Sequence, residues 1–306
     1  MPDLPDIQYV LHHEIEKKKW DDVISNAGNG LIYAYSFYLD ETAKHWDGLV
    51  LNDYEAVMPL TWNRKFGIYY LYQPAFSACL GVFGQHIHGA IVDHFVQSIP
   101  SKFKLIEISL NSGNKFSAQP DKFIPAANYV LSLNKNYDEL NKAFRENHQR
   151  NIQRSIQSGN VVHKSIPLDE VIDLNKQQMK KIAPIPDGAY FHFKRLYQFL
   201  SNQNMAITYG IKSDHGKLLS SCVFFFSHNR AYYILVGNHP DGRTTGASHA
   251  LVDAFIRDHA GQNLVLDFEG SDIESLALFY AGFGSIKETY PLIRWNRLPF
   301  WSRWLK

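Results

Sequence analysis

Asp267 and Glu269 stand two positions apart in the run Leu266-Asp-Phe-Glu-Gly270, where an apolar, strand-like stretch ends at a glycine. Alternate residues of a strand face the same way, so both carboxylates share one side if extended geometry persists through Glu269. An amine must lose a proton before its nitrogen attacks a carbonyl carbon. A carboxylate can hold that ammonium or receive its proton, the more readily if burial or a like charge raises its pKa. Glu269, nearer the glycine, is the stronger catalytic choice, and Asp267 has a structural rival role as the cap of a helical run over 271–281. Tyr280 within that run is able to protonate a leaving thiolate or orient an acyl carbonyl. Its plain alternative is core packing against Phe279 and Phe283.

Cations come from two other places. Arg150 and Arg154 are four apart in a helical pattern over 137–157, hence on one face, with Lys142 and Arg145 extending the charge toward the preceding turns. Leu140, Phe144, Ile152 and Ile156 form the opposite, core-facing stripe. Such arginines give directional hydrogen bonds to a phosphate-bearing acyl donor or an anionic acceptor, and a solvated polar face is the plain reading. The run Gly237-Asn-His-Pro-Asp-Gly-Arg-Thr-Thr-Gly246 joins a strand-like stretch, 231–236, to a helix-like one, 247–259. Free N–H groups at a helix start attract phosphate, and Arg243, Thr244, Thr245 and Gly246 would add donors and close approach. The run has neither the Walker lysine pattern nor GxGxxG, so a simple connector competes with a phosphate cradle. His249 follows it and reads first as an exposed helix residue or cap.

Aromatic groups are the candidates for an acceptor wall. Tyr190 and His192 open a helix after Pro184-Ile-Pro-Asp-Gly188, and Tyr35 and Phe76 lie in aromatic stretches of the first half. Packing is the rival role for each. Cys79 and Cys222 sit among apolar neighbours and read as reduced, buried thiols. His86 and His88 lack a third ligand, so no catalytic metal is expected.

The elements that must position these groups form a mixed α/β pattern. A helix over 11–25, strands at 46–52, 55–62 and 66–72 with a turn at 63–65, a helix at 87–97 and a strand at 103–110 make a first unit reaching about residue 130. After the 137–157 helix come a strand at 161–165, helices at 168–182 and 190–201, and an antiparallel meander at 205–211, 218–226 and 231–236. The 247–259 helix, a strand at 264–268, the 271–281 helix and a terminal strand pair follow. With 306 residues, 45% of them hydrophobic, the chain has material for two cores. A net charge of +1 gives no general drive toward DNA. No apolar run is long enough to cross a membrane, and the opening Met-Pro-Asp-Leu-Pro-Asp lacks a signal core, so a cytoplasmic protein without stable membrane insertion is expected.

Several of these pieces together resemble the GNAT-like acyltransferase superfamily, in its two-domain FemAB/FemX-like branch and the related BioF2-like bacterial acetyltransferases. They are Arg150-Asn-Ile-Gln-Arg154, Leu218-Leu-Ser-Ser-Cys-Val-Phe-Phe-Phe226, Ala231-Tyr-Tyr-Ile-Leu-Val-Gly237, and Leu266-Asp-Phe-Glu-Gly270 with Leu278-Phe-Tyr-Ala-Gly-Phe-Gly284. Met58-Pro-Leu60 and Tyr70-Leu-Tyr-Gln-Pro-Ala-Phe76 carry the likeness into the first half. The resemblance implies two GNAT-like domains, 1–130 and 131–306, each a mixed, mainly antiparallel sheet flanked by helices. It implies acyl transfer to an amine in a cleft between them. The donor would be acetyl-CoA or another acyl-CoA, held by Arg150, Arg154, Arg243, Thr244, Thr245 and Gly246. Glu269, Asp267 and Tyr280 would do the chemistry, and Tyr35, Phe76, Tyr190 and His192 would face a small-molecule or cell-wall-precursor acceptor. The alternative is a FemX-like transferase that takes its aminoacyl group from aminoacyl-tRNA. The chain lacks that branch's long coiled-coil insertion and the complete GNAT pyrophosphate motif. A non-catalytic structural or interaction protein is the third reading.

Overall fold

The computed structural model describes residues 6–117, 123–180, 182–270 and 272–299. The expectations about the first five residues and about Ser271 lie outside these. The described chain is a mixed α/β protein in two compact units, one made of residues up to Ala126 with those from Thr289 on, the other of Ala127–Glu288.

In the first unit, β1 (Ile7–Val10) leads to α1 (Lys17–Asn26), α2 (Ser36–Thr42), β2 (His45–Leu51), β3 (Ala56–Lys65), β4 (Ile68–Leu71), β5 (Phe83–Gly84), α3 (Gly89–Gln97) and β6 (Phe103–Ser109). The sheet order is β1-β2-β3-β4-β6, with β5 on β3. Leu49, Leu60, Phe95, Phe103 and Ile106 are in its core, and α1 contributes the buried Trp20 and Ile24. The expected helix at 11–25 begins only at Lys17: residues 12–14 form a tight 3-10 turn and Ile15 is extended (φ −67°, ψ 123°), which separates that turn from α1. The turn expected at 63–65 falls at Phe66-Gly67, where both residues have positive φ (51° and 81°), the backbone a two-residue hairpin needs.

In the second unit, β7 (Phe123–Ser132) precedes α4 (Tyr137–Lys142), α5 (Glu146–Gln157), β8 (Val161–Lys164), α6 (Leu168–Met179), α7 (Asp187–Ser201), β9 (Ala206–Lys212), β10 (Leu218–Ser227), β11 (Arg230–Asn238), α8 (Pro240–Thr245), α9 (Ala247–His259), β12 (Val265–Asp267) and α10 (Glu274–Ala281). The order is β7-β12-β11-β10-β9-β8, with β11 and β12 parallel and the other pairs antiparallel. Central β10 is an almost unbroken buried run, as a strand covered on both faces must be. On one face Phe224 stacks on Phe255 of α9, ring centroids 3.7 Å apart; on the other Phe225 stacks on Phe193 of α7 at 5.4 Å. β13 (Ile286–Asn296) is a single strand where a pair was expected, and it returns the chain to the first unit by pairing with β6 from Leu292 on. β7 escapes a sequence reading because Pro125 and Asn128 interrupt its strand pattern.

The helix expected over 137–157 is broken. Arg145 is extended (φ −63°, ψ 147°) as the N-cap of α5, and its N–H donates to the Gly282 carbonyl at 2.9 Å rather than continuing the ladder. The break resets the helical phase. α5 buries His148, Ile152 and Ser155, spaced i, i+4, i+7, while Ile156, assigned to the core stripe, is 59% exposed.

Gly246, between α8 and α9, has φ +74°, and a Cβ there would lie 2.1 Å from the Asn151 carbonyl oxygen. Gly246→Ala is therefore expected to lower stability by about 2–4 kcal/mol, since strain and a backbone clash combine. A urea titration checks this.

Candidate functional site

The central feature is where β11 leaves β12. The two strands pair over three residues, ending at Tyr232 with Asp267, and β11 then runs on to Asn238. Ile234 lies opposite Val223 and Gly237 opposite Ser221, so Leu235 and Val236 together oppose Cys222. Leu235 has φ +52°, a conformation rare for a bulky residue. This is a β-bulge, which turns backbone groups off the regular ladder. A backbone N–H freed in this way is the kind of donor that stabilises a developing oxyanion.

α6 clamps the bulge. Asn175 donates its amide to the Val236 carbonyl at 2.7 Å, and Tyr190 donates its hydroxyl to the other end of that amide at 2.6 Å. Gln178 accepts the Asn238 N–H at 2.6 Å. Gly237 is required here, since a Cβ would lie 2.7 Å from the Asn175 backbone nitrogen. Tyr190 is thus 2% exposed and works inside the fold, whereas His192, two residues along and so on a different face of α7, is exposed. Asn175 and Gln178 escaped the sequence reading because polar residues on an amphipathic helix look like its solvent face.

Asp267 and Glu269 diverge. Asp267, 3% exposed, takes Arg230 at 2.6 Å, the Asn128 amide at 2.9 Å and the Glu269 N–H at 2.8 Å. Arg230 also reaches Glu288 at 3.5 Å. A carboxylate with these three partners anchors the end of β12, and its partner is an ion pair rather than the helix cap expected. β12 stops at Asp267, and Glu269 has φ +61°, so the alternation that would align both carboxylates does not hold. The left-handed turn leaves Glu269 half-buried beside Tyr280. The Tyr280 hydroxyl has its pKa raised, first by burial and then by the Glu269 charge, so it stays protonated at neutral pH. Its ring stacks on Phe268 at 4.7 Å.

α10 links this corner to α5 and α9. Phe279 contacts Tyr280 at 5.7 Å on one side and His249 at 4.9 Å on the other. His148, 2% exposed, meets His249 at 4.7 Å and bonds the Phe279 carbonyl at 2.8 Å through Nε2. Gly282 makes room for it, because a Cβ would lie 2.0 Å from that ring. His249 is held down to about 4 by burial first, then by His148 and Arg154. The unfolded chain therefore takes up a proton that folded His249 refuses as pH falls below about 6.5, and the stability lost is complete near pH 4. A loss at most on the order of 3 kcal/mol is expected across that window, and His249→Phe should flatten the profile measured by urea unfolding at several pH values.

The cations are less gathered than the glycine-rich run suggested. Arg150 and Arg154 are exposed on α5, and Arg154 bonds Asn151 at 3.1 Å. Residues 240–245 form a helical turn in place of an open loop, with Arg243 exposed. The Thr244 hydroxyl bonds the Asp241 carbonyl at 2.8 Å, and Thr245 reaches the same carbonyl at 3.3 Å. Gly246 is packed against Asn151, so α9 starts on protein. In the first unit, Tyr35 caps α2 and stacks on Phe37 at 5.2 Å. Phe76 has φ +62°, and its carbonyl accepts the Tyr38 hydroxyl.

No protein-family model matches the chain, and no curated protein does. Among solved structures, FemX shares the fold with a TM-score of 0.63 at 13% identity, covering 94% of this chain and 97% of that one. A conserved protein of unknown function from Bacteroides thetaiotaomicron gives 0.57 at 11%, covering 95% and 100%. L-PGS from Bacillus licheniformis gives 0.50 at 10%, covering 92% and 93%. At these identities the likeness is one of fold, and it spans both units. The chain thus shares a fold, distantly, with FemX and L-PGS. No described helix is long and apolar enough to cross a membrane.

Proposed function

We propose that the chain is a transferase that moves an aminoacyl group from a carrier to an amine by direct attack, in the manner of the FemX fold. The observation that carries this reading is the bulge at Leu235–Val236, standing free of β12 and clamped by Asn175, with Glu269 at the end of β12 and the protonated Tyr280 beside it. The amine nitrogen attacks the ester carbonyl carbon and its proton passes to Glu269. The bulge supplies an N–H to the oxyanion, and the carbon–oxygen bond then breaks as the leaving oxygen takes a proton from Tyr280. Asp267 and Arg230 fix the turn that carries Glu269.

The α8 region favours an aminoacyl-tRNA donor over acyl-CoA. A pyrophosphate cradle needs open N–H and hydroxyl donors, and here Thr244 and Thr245 bond back into their own turn while Gly246 is closed against Asn151. The exposed Arg150 and Arg154 face suits a phosphate backbone, which is held by salt-dependent contacts. Two GNAT-like domains and a cell-wall-precursor amine as acceptor belong to the same reading.

Calorimetry with aminoacyl-tRNA and with acetyl-CoA at one ionic strength tests it, paired with mass-spectrometric detection of an aminoacylated amine. Saturable binding of aminoacyl-tRNA, weakened in Arg150→Ala/Arg154→Ala and by salt, is the expected result. Binding of acetyl-CoA alone returns the donor to a thioester, and binding of neither leaves a non-catalytic protein.

A further inference from the structure

A groove of about 530 Å3 lies in the first unit between α1, the β2–β3 turn and the β5–α3 connection. One face of α1 lines it, through Lys19, Asp22, Val23 and Asn26, which repeat at i, i+3, i+4 and i+7. Its floor is apolar, with Val23, Ile87 and Ile91 half-buried over the buried Leu51 and Ala56. Its rim carries three carboxylates, Asp22, Asp53 and Glu55, against one ammonium, Lys19.

Lys19 is already committed, to Asp53 at 2.8 Å and Glu16 at 3.1 Å. Asp22 and Glu55 have no ion pair or side-chain hydrogen bond among the described residues, so two negative charges stand uncompensated over the apolar floor. The turn that carries Glu55 is fixed in advance. Asn52 and Tyr54 both have positive φ (48° and 61°), and the Tyr54 hydroxyl accepts the Glu16 N–H at 2.8 Å, tying the turn to the start of α1. No group of three or more His, Cys, Asp or Glu among the described residues is arranged to hold a metal ion, whereas an ammonium on an apolar body would match both the carboxylates and the floor.

We propose that this groove binds a primary amine carried on an apolar body, the ammonium between Asp22 and Glu55 and the body on Val23, Ile87 and Ile91. A cavity of this size admits a small organic molecule, with apolar contact giving the affinity and the carboxylates the choice of charge. The site is independent of the transfer chemistry proposed for the second unit.

Tryptamine and its acidic counterpart indole-3-propionate, matched in shape and opposite in charge, are the probes. Methyl-resolved NMR titration at low salt is expected to show tryptamine saturating shifts at Val23, Ile87 and Ile91. Affinity should fall at least about tenfold in Asp22→Asn/Glu55→Gln, and indole-3-propionate should give no saturation. Both substitutions are at exposed positions, so an unchanged Tm separates lost binding from lost folding. Equal binding of the acid, unchanged binding in the double variant, or shifts confined to other methyls would each overturn the proposal, as would no saturation by tryptamine.

Discussion

Glu269→Gln is expected to slow transfer by about two to four orders of magnitude while donor affinity and Tm stay near the parent values. Gln keeps the shape and the left-handed turn, whose N–H still bonds Asp267. It removes only the capacity to accept the amine's proton. Single-turnover transfer from pre-bound aminoacyl-tRNA reads that step without interference from product release. Raising pH should recover part of the loss, because an acceptor amine that is already neutral needs no base. Transfer at the parental rate would move the proton to another group and leave Glu269 a turn residue. Tyr280→Phe separates the second role, since it keeps the stack on Phe268 and deletes only the hydroxyl.

Asp267→Ala is expected to cost about 3 kcal/mol of stability, the largest single effect among the polar groups of the second unit. Arg230 is 20% exposed and Asp267 5% by side chain, and removing one partner of such a pair strands the other charge in low dielectric. Glu288 at 3.5 Å remains beside Arg230, which holds the cost toward the lower end of what buried pairs show. The Asn128 amide and the Glu269 N–H lose their acceptor as well. Urea unfolding of Asp267→Ala, Arg230→Met and the double variant checks this. The double variant should be less damaged than the sum of the singles, because no charge is left unpaired. A sum that adds would mean the pair is effectively solvated.

The strands and helices with a clean period were legible in the sequence. β9, β10 and β11 alternate or run apolar between turn residues, and α9 carries its own stripe, so local pattern sufficed. The elements that were missed or misjudged have partners distant in the chain. β7 carries Pro125 and Asn128 yet pairs with β12, and the 137–157 helix breaks because Gly282 offers Arg145 an acceptor. The glycine-rich run was visible as a feature, read as a connector or a phosphate cradle, but its helical turn over 240–245 was not. Its threonines bond back to Asp241, and its terminal glycine is a packing necessity against Asn151.

The residue types of the candidate site were also visible: Glu269, Asp267 and Tyr280 were singled out by chemistry and spacing. Their arrangement was not, because it depends on Arg230, which pairs with Asp267, and on the left-handed backbone at Glu269, which breaks the alternation. The supports were not visible as supports: Asn175 and His148 were not singled out and Tyr190 was read as an acceptor wall or a packing residue, since each acquires its meaning only from what it touches. By itself the sequence determined the mixed α/β class, two cores' worth of apolar material and the meander, because periodicity and composition are local properties. The tertiary structure alone decided the bulge at Leu235, the clamp from α6, the ion pair under β12 and the groove beside α1, because each is a contact between segments that the chain's order keeps apart.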